Sequence, residues 1–260
     1  MFTHLKITSS QISPYVLLPG DPGRVDVIGR SLADFQILSS NREFRVGLGR
    51  YQGLPVTVCS TGIGCPSTAI AVEELIAAGA QVLIRVGTCG GAWQERISIG
   101  SLVIPTATVR DEGTTQEYLP LGFPAVADSD VVSALRQAVK KKGGSYFVGI
   151  NRTHDAFYSP ASAITKWGQY LLSPRWQGKD TPILSSEMEC AALFVIASLY
   201  QVRAGAVLAV NAAPEPLIRR LQRQDVPVVG EADPETTEKI VDQAIIIALE
   251  ALINLAQERT

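Results

Sequence analysis

Histidine and cysteine are scarce in this 260-residue chain, and their scarcity excludes several kinds of site. With only His4 and His154, the sequence cannot build a His-rich metal centre, and we expect no metal site. The cysteines have no C-x-x-C spacing, which argues against a zinc site and against the disulfide framework of a secreted protein. We therefore expect reduced thiols at Cys59, Cys65, Cys89 and Cys190.

An excess of charge of one sign is also missing. The chain has 23 Lys and Arg against 25 Asp and Glu, a net charge of −2, and no basic run longer than Lys140 to Lys142. That triplet comes late in a helical pattern, where cations complement the helix dipole without any partner. The sequence therefore predicts no nucleic-acid binding.

Long hydrophobic runs are missing as well, since glycine, proline or a charged residue interrupts each apolar stretch. We expect no membrane span, and the N-terminus has no apolar signal region, so the expected location is the cytoplasm. What is present is 46% hydrophobic residues with 18% charged ones, enough for a large core. There is no repeat, low-complexity tract or linker, which indicates one α/β domain over residues 1–260.

The central feature of the sequence is the stretch 81–91, Gln-Val-Leu-Ile-Arg-Val-Gly-Thr-Cys-Gly-Gly. Residues 82–84 predict a short buried strand that ends at Arg85. Glycines then allow backbone amides to approach a ligand, while Thr88 adds a hydroxyl and Arg85 a fork that fits two phosphate oxygens. The stretch predicts either an anion site or a glycine-rich turn with a salt-bridged arginine.

A second strand end has the same design. The apolar run 15–19 leads into Gly20-Asp-Pro-Gly-Arg24, a strong turn sequence that places Arg24 near the start of a predicted helix. Amides at a helix N-terminus also favour an anion. A turn with a solvated arginine is a sufficient explanation for one such strand end. It is a weaker explanation when two strand ends, at 20–24 and at 81–91, share the same design.

A third glycine-rich stretch, Gly62-Ile-Gly-Cys-Pro-Ser67, superficially matches a dinucleotide-binding fingerprint. No acidic residue ends a second strand at the expected spacing, and a proline lies inside the stretch. We therefore expect no NAD site there.

Two carboxylates lie near the start of a helix predicted over residues 185–200. Glu187 and Glu189 flank Met188 and point to different faces, so at least one of them is able to enter a pocket. Carboxylates in a first helical turn also serve simply to complement the helix dipole. Further clear helices are predicted at Ser129–Lys142 and Pro234–Gln257.

Six short motifs together resemble the nucleoside phosphorylase family, in the branch of hexameric purine nucleoside phosphorylases and uridine phosphorylases. The match runs in order along nearly the whole chain. The resemblance implies a single α/β domain whose mixed central sheet is partly closed like a barrel and flanked by helices. The motifs are Gly20-Asp-Pro-Gly-Arg24, Asn41-Arg-Glu43, Thr61-Gly-Ile-Gly64, Arg85-Val-Gly-Thr-Cys-Gly90, Asp155-Ala-Phe-Tyr158 and Glu187-Met-Glu189.

The resemblance implies a pentosyltransferase that converts a nucleoside and phosphate into a free base and ribose 1-phosphate. It implies no cofactor, and inorganic phosphate is then a co-substrate. It implies a hexamer built as a trimer of dimers, in which a neighbouring subunit supplies Arg42 and His4. The implied roles are phosphate binding by Gly20, Arg24, Arg42, Arg85 and Thr88, ribose binding by His4, Met188 and Glu189, base binding by Phe157, Tyr158 and Asn211, and catalysis by Arg85, Glu189 and Asn211.

Two departures from the family pattern leave it undecided whether the base of the nucleoside is a purine or a pyrimidine. Purine enzymes of this branch carry an aspartate where this chain has Asn211, and an amide is not a general acid. Uridine phosphorylases carry a Gln-x-Arg pair where residues 160–165 read Pro-Ala-Ser-Ala-Ile-Thr. We expect a 6-oxopurine nucleoside slightly ahead of uridine, with a hydrolytic nucleosidase and a non-catalytic nucleoside-binding paralogue as further alternatives.

Overall fold

The computed structural model describes residues 1–91, 96–157, 182–213 and 230–257. Its strands are β1 Tyr15–Leu18, β2 Ala33–Asn41, β3 Phe44–Tyr51, β4 Leu54–Cys59, β5 Val82–Gly91, β6 Leu102–Asp111, β7 Ala125–Val126, β8 Tyr146–His154, β9 Ile183–Glu187, β10 Arg203–Ala213 and β11 Gly230–Glu231. Its α-helices are α1 Pro22–Gly29, α2 Cys65–Ala78, α3 Thr114–Tyr118, α4 Ser129–Lys142, α5 Cys190–Leu199 and α6 Pro234–Gln257. A short 3-10 helix spans Ser9–Gln11.

All eleven strands belong to one mixed sheet, and five of them close on themselves. The closed ring runs β5, β9, β8, β6, β10 and back to β5, because β10 also pairs in parallel with β5 along most of its length. From β5 the sheet continues through β1, β4, β3 and β2 as an open arm. The predicted mixed, partly closed sheet flanked by helices is confirmed.

Helices cover both faces of this sheet, and each face has its own core. Along β5, Leu83 joins one core, whereas its neighbours Val82 and Ile84 join the other, as the alternation of a strand requires. The first core contains α2 and α5, and the second contains α1, α4 and α6. A strand covered on both faces must be apolar on both, which explains the continuous apolar run 82–84.

Helix α6 is long and apolar enough to cross a membrane by length and composition. It lies in the second core, however, where Ile240, Ala244, Ala248 and Leu252 are buried. This burial is consistent with a soluble protein, because the apolar side of the helix is covered by the sheet and by α4.

The predicted helix 185–200 is only partly correct. The structure has strand β9 up to Glu187 and begins α5 at Cys190, with Glu189 at its N-cap. Strand β9 forms because it pairs in parallel with β8 and antiparallel with β5, which are distant in sequence. The two glutamates therefore lie at a strand end and in the link to a helix, at the edge where the strands of the barrel end.

The predicted end of the central strand at Arg85 is wrong. Strand β5 continues through the glycines to Gly91, because β10 pairs with it as far as Gly90 and β9 pairs with Gly90 and Gly91. Arg85 is consequently a buried residue within the sheet, 4% exposed. A charged group in such a place needs partners of opposite charge.

Candidate active site

A cavity of about 700 Å³ opens at the ends of β1, β5, β8, β9 and β10. The carboxyl ends of parallel strands are the usual position of a ligand in an α/β protein. Most of the predicted site residues line this cavity, although they come from five separate parts of the chain. They are Gly20, Arg24, Arg85, Thr88, Phe157, Met188, Glu189 and Asn211.

Among the described residues, two of the three guanidinium nitrogens of Arg85 donate to carboxylates, and the third does not. Its Nε donates to Glu187 Oε2 at 3.1 Å, and its Nη2 donates to Glu189 Oε2. Burial acts to lower the pKa of Arg85, but the two carboxylates outweigh it and raise the pKa above its ordinary value. The third nitrogen, Nη1, is buried without a hydrogen-bond partner in the part of the chain that the structure describes.

The free nitrogen of Arg85 faces the turn after β1. A methyl group built on Gly20 would lie 3.9 Å from Arg85 Nη1. Arg24, in the first turn of α1, lines the same cavity, and its pKa is lowered by burial and by the charge of Arg85, against the opposing effect of Asp21. Two guanidinium groups that repel each other across one cavity have the charge and geometry that suit a multiply charged anion.

Glu187 was not predicted as a site residue, yet it is the most heavily hydrogen-bonded group of the site. It accepts from Asn151 Nδ2 at 2.8 Å, from Thr153 Oγ1 at 2.7 Å and from the amides of Glu189 and Cys190. Burial acts to raise its pKa, but Arg85 and these hydrogen bonds outweigh it and keep the pKa below the usual range. Glu187 is thus a charged anchor that fixes Arg85.

Glu189 has fewer partners. Its Oε1 accepts from the amide of Gly64 at 2.6 Å, and its Oε2 accepts from Arg85. Burial first, and then the charge of Glu187, raise its pKa in spite of the opposing charge of Arg85. A carboxylate in the cavity wall with acceptor capacity left over is suited to the hydroxyl groups of a sugar.

Asn211 owes its position to an irregularity of the sheet. The register between β10 and β5 shifts between Val210, which is opposite Cys89, and Ala212, which is opposite Gly90. Asn211 is the extra residue of this β-bulge and lines the cavity. Bulges commonly redirect a side chain beside an active site, and no pattern in the sequence indicates this one.

The cavity wall at the end of β8 combines one predicted residue with one that was missed. Phe157 lines the cavity as expected and is 47% exposed, whereas Tyr158 lies outside the described residues. His154, the last residue of β8, also lines the cavity and is buried. A single histidine in a strand is an ambiguous signal, and only the closed barrel places it at the site.

Arg42 and His4 do not line the cavity of their own chain. Arg42 is exposed in the turn between β2 and β3, with a left-handed φ of 55°. His4 Nδ1 lies 2.8 Å from Glu74 Oε1, and the residue lines a separate cavity of about 460 Å³ beside α2.

The thiols near the site are not poised for nucleophilic chemistry. Cys89 lines the cavity and Cys65 donates to the carbonyl of Met188, but burial raises the pKa of both thiols far above the ordinary value. All four cysteines are buried, and none forms a disulfide with another in the structure.

Gly87→Ala is expected to lower kcat/KM at least about tenfold, because small displacements of a binding group are costly for catalysis. A methyl group at this position would lie 2.7 Å from Arg85 Nη2, so the guanidinium must shift. Gly113→Ala is the matched control, since its methyl group would meet no atom closer than 3.8 Å. Equal kcat/KM values for the two variants would show that the position of the Arg85 guanidinium does not matter for activity.

Comparison with known proteins gives a consistent family. The model of the phosphorylase superfamily matches residues 14–254. Uridine phosphorylase from Thermococcus kodakarensis is 41% identical over 80% of this chain and 76% of its own length. Uridine phosphorylase from Haemophilus influenzae is 36% identical over 96% of this chain and 98% of its own length. Guanosine phosphorylase from Halorubrum lacusprofundi is 35% identical over 97% of this chain and 98% of its own. Among solved structures, purine nucleoside phosphorylase from Toxoplasma gondii in complex with immucillin-H has a TM-score of 0.85 at 29% identity, covering 98% of this chain and 96% of that one.

Proposed function

This chain belongs to the phosphorylase superfamily and is a nucleoside phosphorylase, a pentosyltransferase, and we propose that the nucleoside it cleaves best is uridine. The products are then uracil and ribose 1-phosphate. The slight preference for a 6-oxopurine that the sequence suggested is not confirmed, because similar proteins that cover nearly the whole chain are mostly named uridine phosphorylase.

The observation that carries the phosphorolytic reaction is the free, buried Nη1 of Arg85 beside Gly20 and Arg24. Phosphate carries nearly two negative charges at neutral pH, so it requires more than one cation. We assign its binding to Gly20, Arg24, Arg85 and Thr88. Preorganised charges of this kind act by orientation and electrostatics. The bound phosphate and the carboxylate of Glu189 are then the anions that favour the positive charge developing at C1′ as the base departs.

The residues on the remaining walls of the cavity are assigned to the ribose and the base. Glu189 is assigned to the ribose hydroxyls, with Met188 beside the sugar, and Phe157, Tyr158 and Asn211 to the base. Asn211 cannot protonate a leaving group, but its amide is able to donate to a carbonyl oxygen. Uracil suits such a site because, as it leaves, its negative charge spreads onto two carbonyl oxygens that accept hydrogen bonds.

The test is base release from uridine, inosine, guanosine and adenosine, each with and without phosphate. Uridine is expected to give the highest kcat/KM, and turnover is expected to depend on phosphate. Equal rates without phosphate would indicate a nucleosidase, and nucleoside binding by calorimetry without turnover would indicate a non-catalytic paralogue. Either result contradicts the proposal.

A 6-oxopurine nucleoside is the second candidate, supported by the names of the guanosine phosphorylase and the purine nucleoside phosphorylase to which this chain is similar. The carbonyl at C6 of such a base accepts a hydrogen bond from an amide as the C4 carbonyl of uracil does. In the substrate panel, a higher kcat/KM for guanosine or inosine than for uridine would favour this candidate.

Asn211→Asp is expected to raise the ratio of kcat/KM for adenosine to that for uridine by about tenfold or more. A carboxylic acid beside the base is able to protonate a departing purine, and general acids commonly contribute about 10²-fold or more. The ratio cancels changes that affect both substrates equally. An unchanged ratio would show that the bulge does not direct this side chain to the base.

We further propose that the chain forms dimers assembled as a hexamer, in which a neighbouring subunit supplies Arg42 and His4 to the site. The support for this proposal is that neither residue lines the larger cavity of its own chain. Sedimentation analysis tests this proposal. A fully active monomer would remove both residues from the mechanism.

A further inference from the structure

The order of strands in the barrel fixes the order in which the anion, the sugar and the base would lie along the cavity. From the turn after β1, which carries Gly20 and Arg24, the sheet runs through β5, β9 and then β8. Neighbouring strands lie about 4.8 Å apart, so the end of β8 is roughly 10 Å across the sheet from β5 and Arg85. Glu189, which follows β9, lies in between. An anion at Arg85 and a sugar at Glu189 therefore leave the end of β8, together with Asn211 at the end of β10, for the base.

His154 is the polar residue at that end. It follows Thr153, which is opposite Glu187 in the β8–β9 register, so it lies beside the segment that carries Met188. The residue is 6% exposed and lines the cavity, and its Nδ1 is buried without a hydrogen-bond partner among the described residues. Buried polar atoms are rarely left unpaired, and those that are commonly belong to a site that binds something.

We propose that His154 helps to select the base, by a hydrogen bond between its Nδ1 and the edge of uracil that carries the C4 carbonyl and the N3 proton. This inference rests on the proposed function, because it names the part of the substrate that the histidine contacts. A neutral imidazole has one donor and one acceptor nitrogen, and the imide edge of uracil offers both an N–H and carbonyl oxygens.

The surroundings of His154 favour the neutral ring. Burial, and next the charge of Arg152 on the same strand, lower its pKa, against the opposing effects of Glu187 on β9, of a hydrogen bond to the backbone of Ala156, and of Asp111 on β6. Arg152 is itself paired with Asp111. A histidine that stays neutral at physiological pH keeps one acceptor nitrogen in its ring, which a cationic ring lacks.

The experiment compares the wild type with His154→Phe, which keeps a planar ring and loses both nitrogens, and with His154→Asn, whose amide reaches about the position of Nδ1. His154→Phe is expected to lower kcat/KM for uridine by about 10- to 100-fold, because the edge of the base is left unpaired. His154→Asn is expected to recover most of this loss.

Two further readouts separate base selection from a supporting role. Binding of ribose 1-phosphate, measured by calorimetry, should change by less than about threefold in His154→Phe, because this product has no base. The riboside of pyrimidin-2-one lacks the C4 carbonyl and the N3 proton. The wild type should discriminate against it, and His154→Phe should lose that discrimination by about the same factor that it loses for uridine.

Each contrary outcome decides the matter. If His154→Phe keeps kcat/KM for uridine within about threefold of the wild type, or loses ribose 1-phosphate binding as well, the inference is overturned while the proposed function stands. If the wild type itself releases no base from any nucleoside in the presence of phosphate, the proposed function fails and this inference fails with it.

Discussion

Arg85→Ala is expected to reduce kcat/KM for phosphorolysis by about 10²- to 10³-fold and to destabilise the fold. Activity falls because the variant loses the buried donor that faces Gly20, and the loss of one preorganised donor for developing charge commonly costs about 10²- to 10³-fold. Stability falls because Glu187 and Glu189 remain buried without their cation, at a cost of about 3–5 kcal/mol in the free energy of unfolding.

The destabilisation should depend on pH in a definite direction. In the wild type the pKa of Glu187 is held below its value in the unfolded chain, so the stability it contributes is present above that value and is lost as the pH falls through the folded pKa. Without Arg85, burial instead raises this pKa, so the deficit of the variant is largest at pH 8 and shrinks towards pH 5. Urea unfolding at both pH values measures the deficit.

Arg24→Ala is the matched comparison. Arg24 lines the same cavity and is close enough to Arg85 for their charges to interact. No ion pair joins Arg24 to a carboxylate among the described residues, so we expect a KM for phosphate raised by about 10- to 100-fold with little change in stability. A deficit for Arg85→Ala that does not vary with pH, or activity close to that of the wild type, would contradict the assigned role of Arg85.

Glu189→Gln and Glu187→Gln are expected to separate catalysis from stability, although both glutamates bind the same arginine. Glu189→Gln should lose about 10²- to 10³-fold in kcat/KM with a small change in unfolding free energy, since the amide keeps the shape but removes the negative charge near C1′. Glu187→Gln should destabilise the protein more, because its carboxylate accepts from two side chains and two amides besides Arg85.

The comparison is made by measuring kcat and KM for uridine together with urea unfolding for both variants. Each variant removes one charge next to Arg85 and changes no volume, so each is the control for the other. Equal losses of activity and of stability in the two variants would mean that neither carboxylate has a separate role. A larger loss of activity in Glu187→Gln would reverse the assignment of the ribose to Glu189.

Several parts of the fold were predictable from local patterns. Helices Ser129–Lys142 and Pro234–Gln257 have the bounds expected from their apolar periodicity, and the turn at 20–24 indeed places Arg24 in the first turn of a helix. That Arg24 and Arg85 line one cavity was likewise predictable, because each arginine stands beside glycines within a few consecutive residues.

The sequence by itself therefore determined the class of fold, the family, and the arginines that bring positive charge to the cavity. Only the tertiary structure decided how those charges are balanced and which further residues line the cavity. The partners of Arg85 are 102 and 104 residues away, strand β9 forms only because β5 and β8 pair with it, and Asn211 lies on a bulge in a strand register. His154 reaches the cavity only because the barrel closes. Each of these features depends on pairing between distant strands, and no local pattern of residues encodes such pairing.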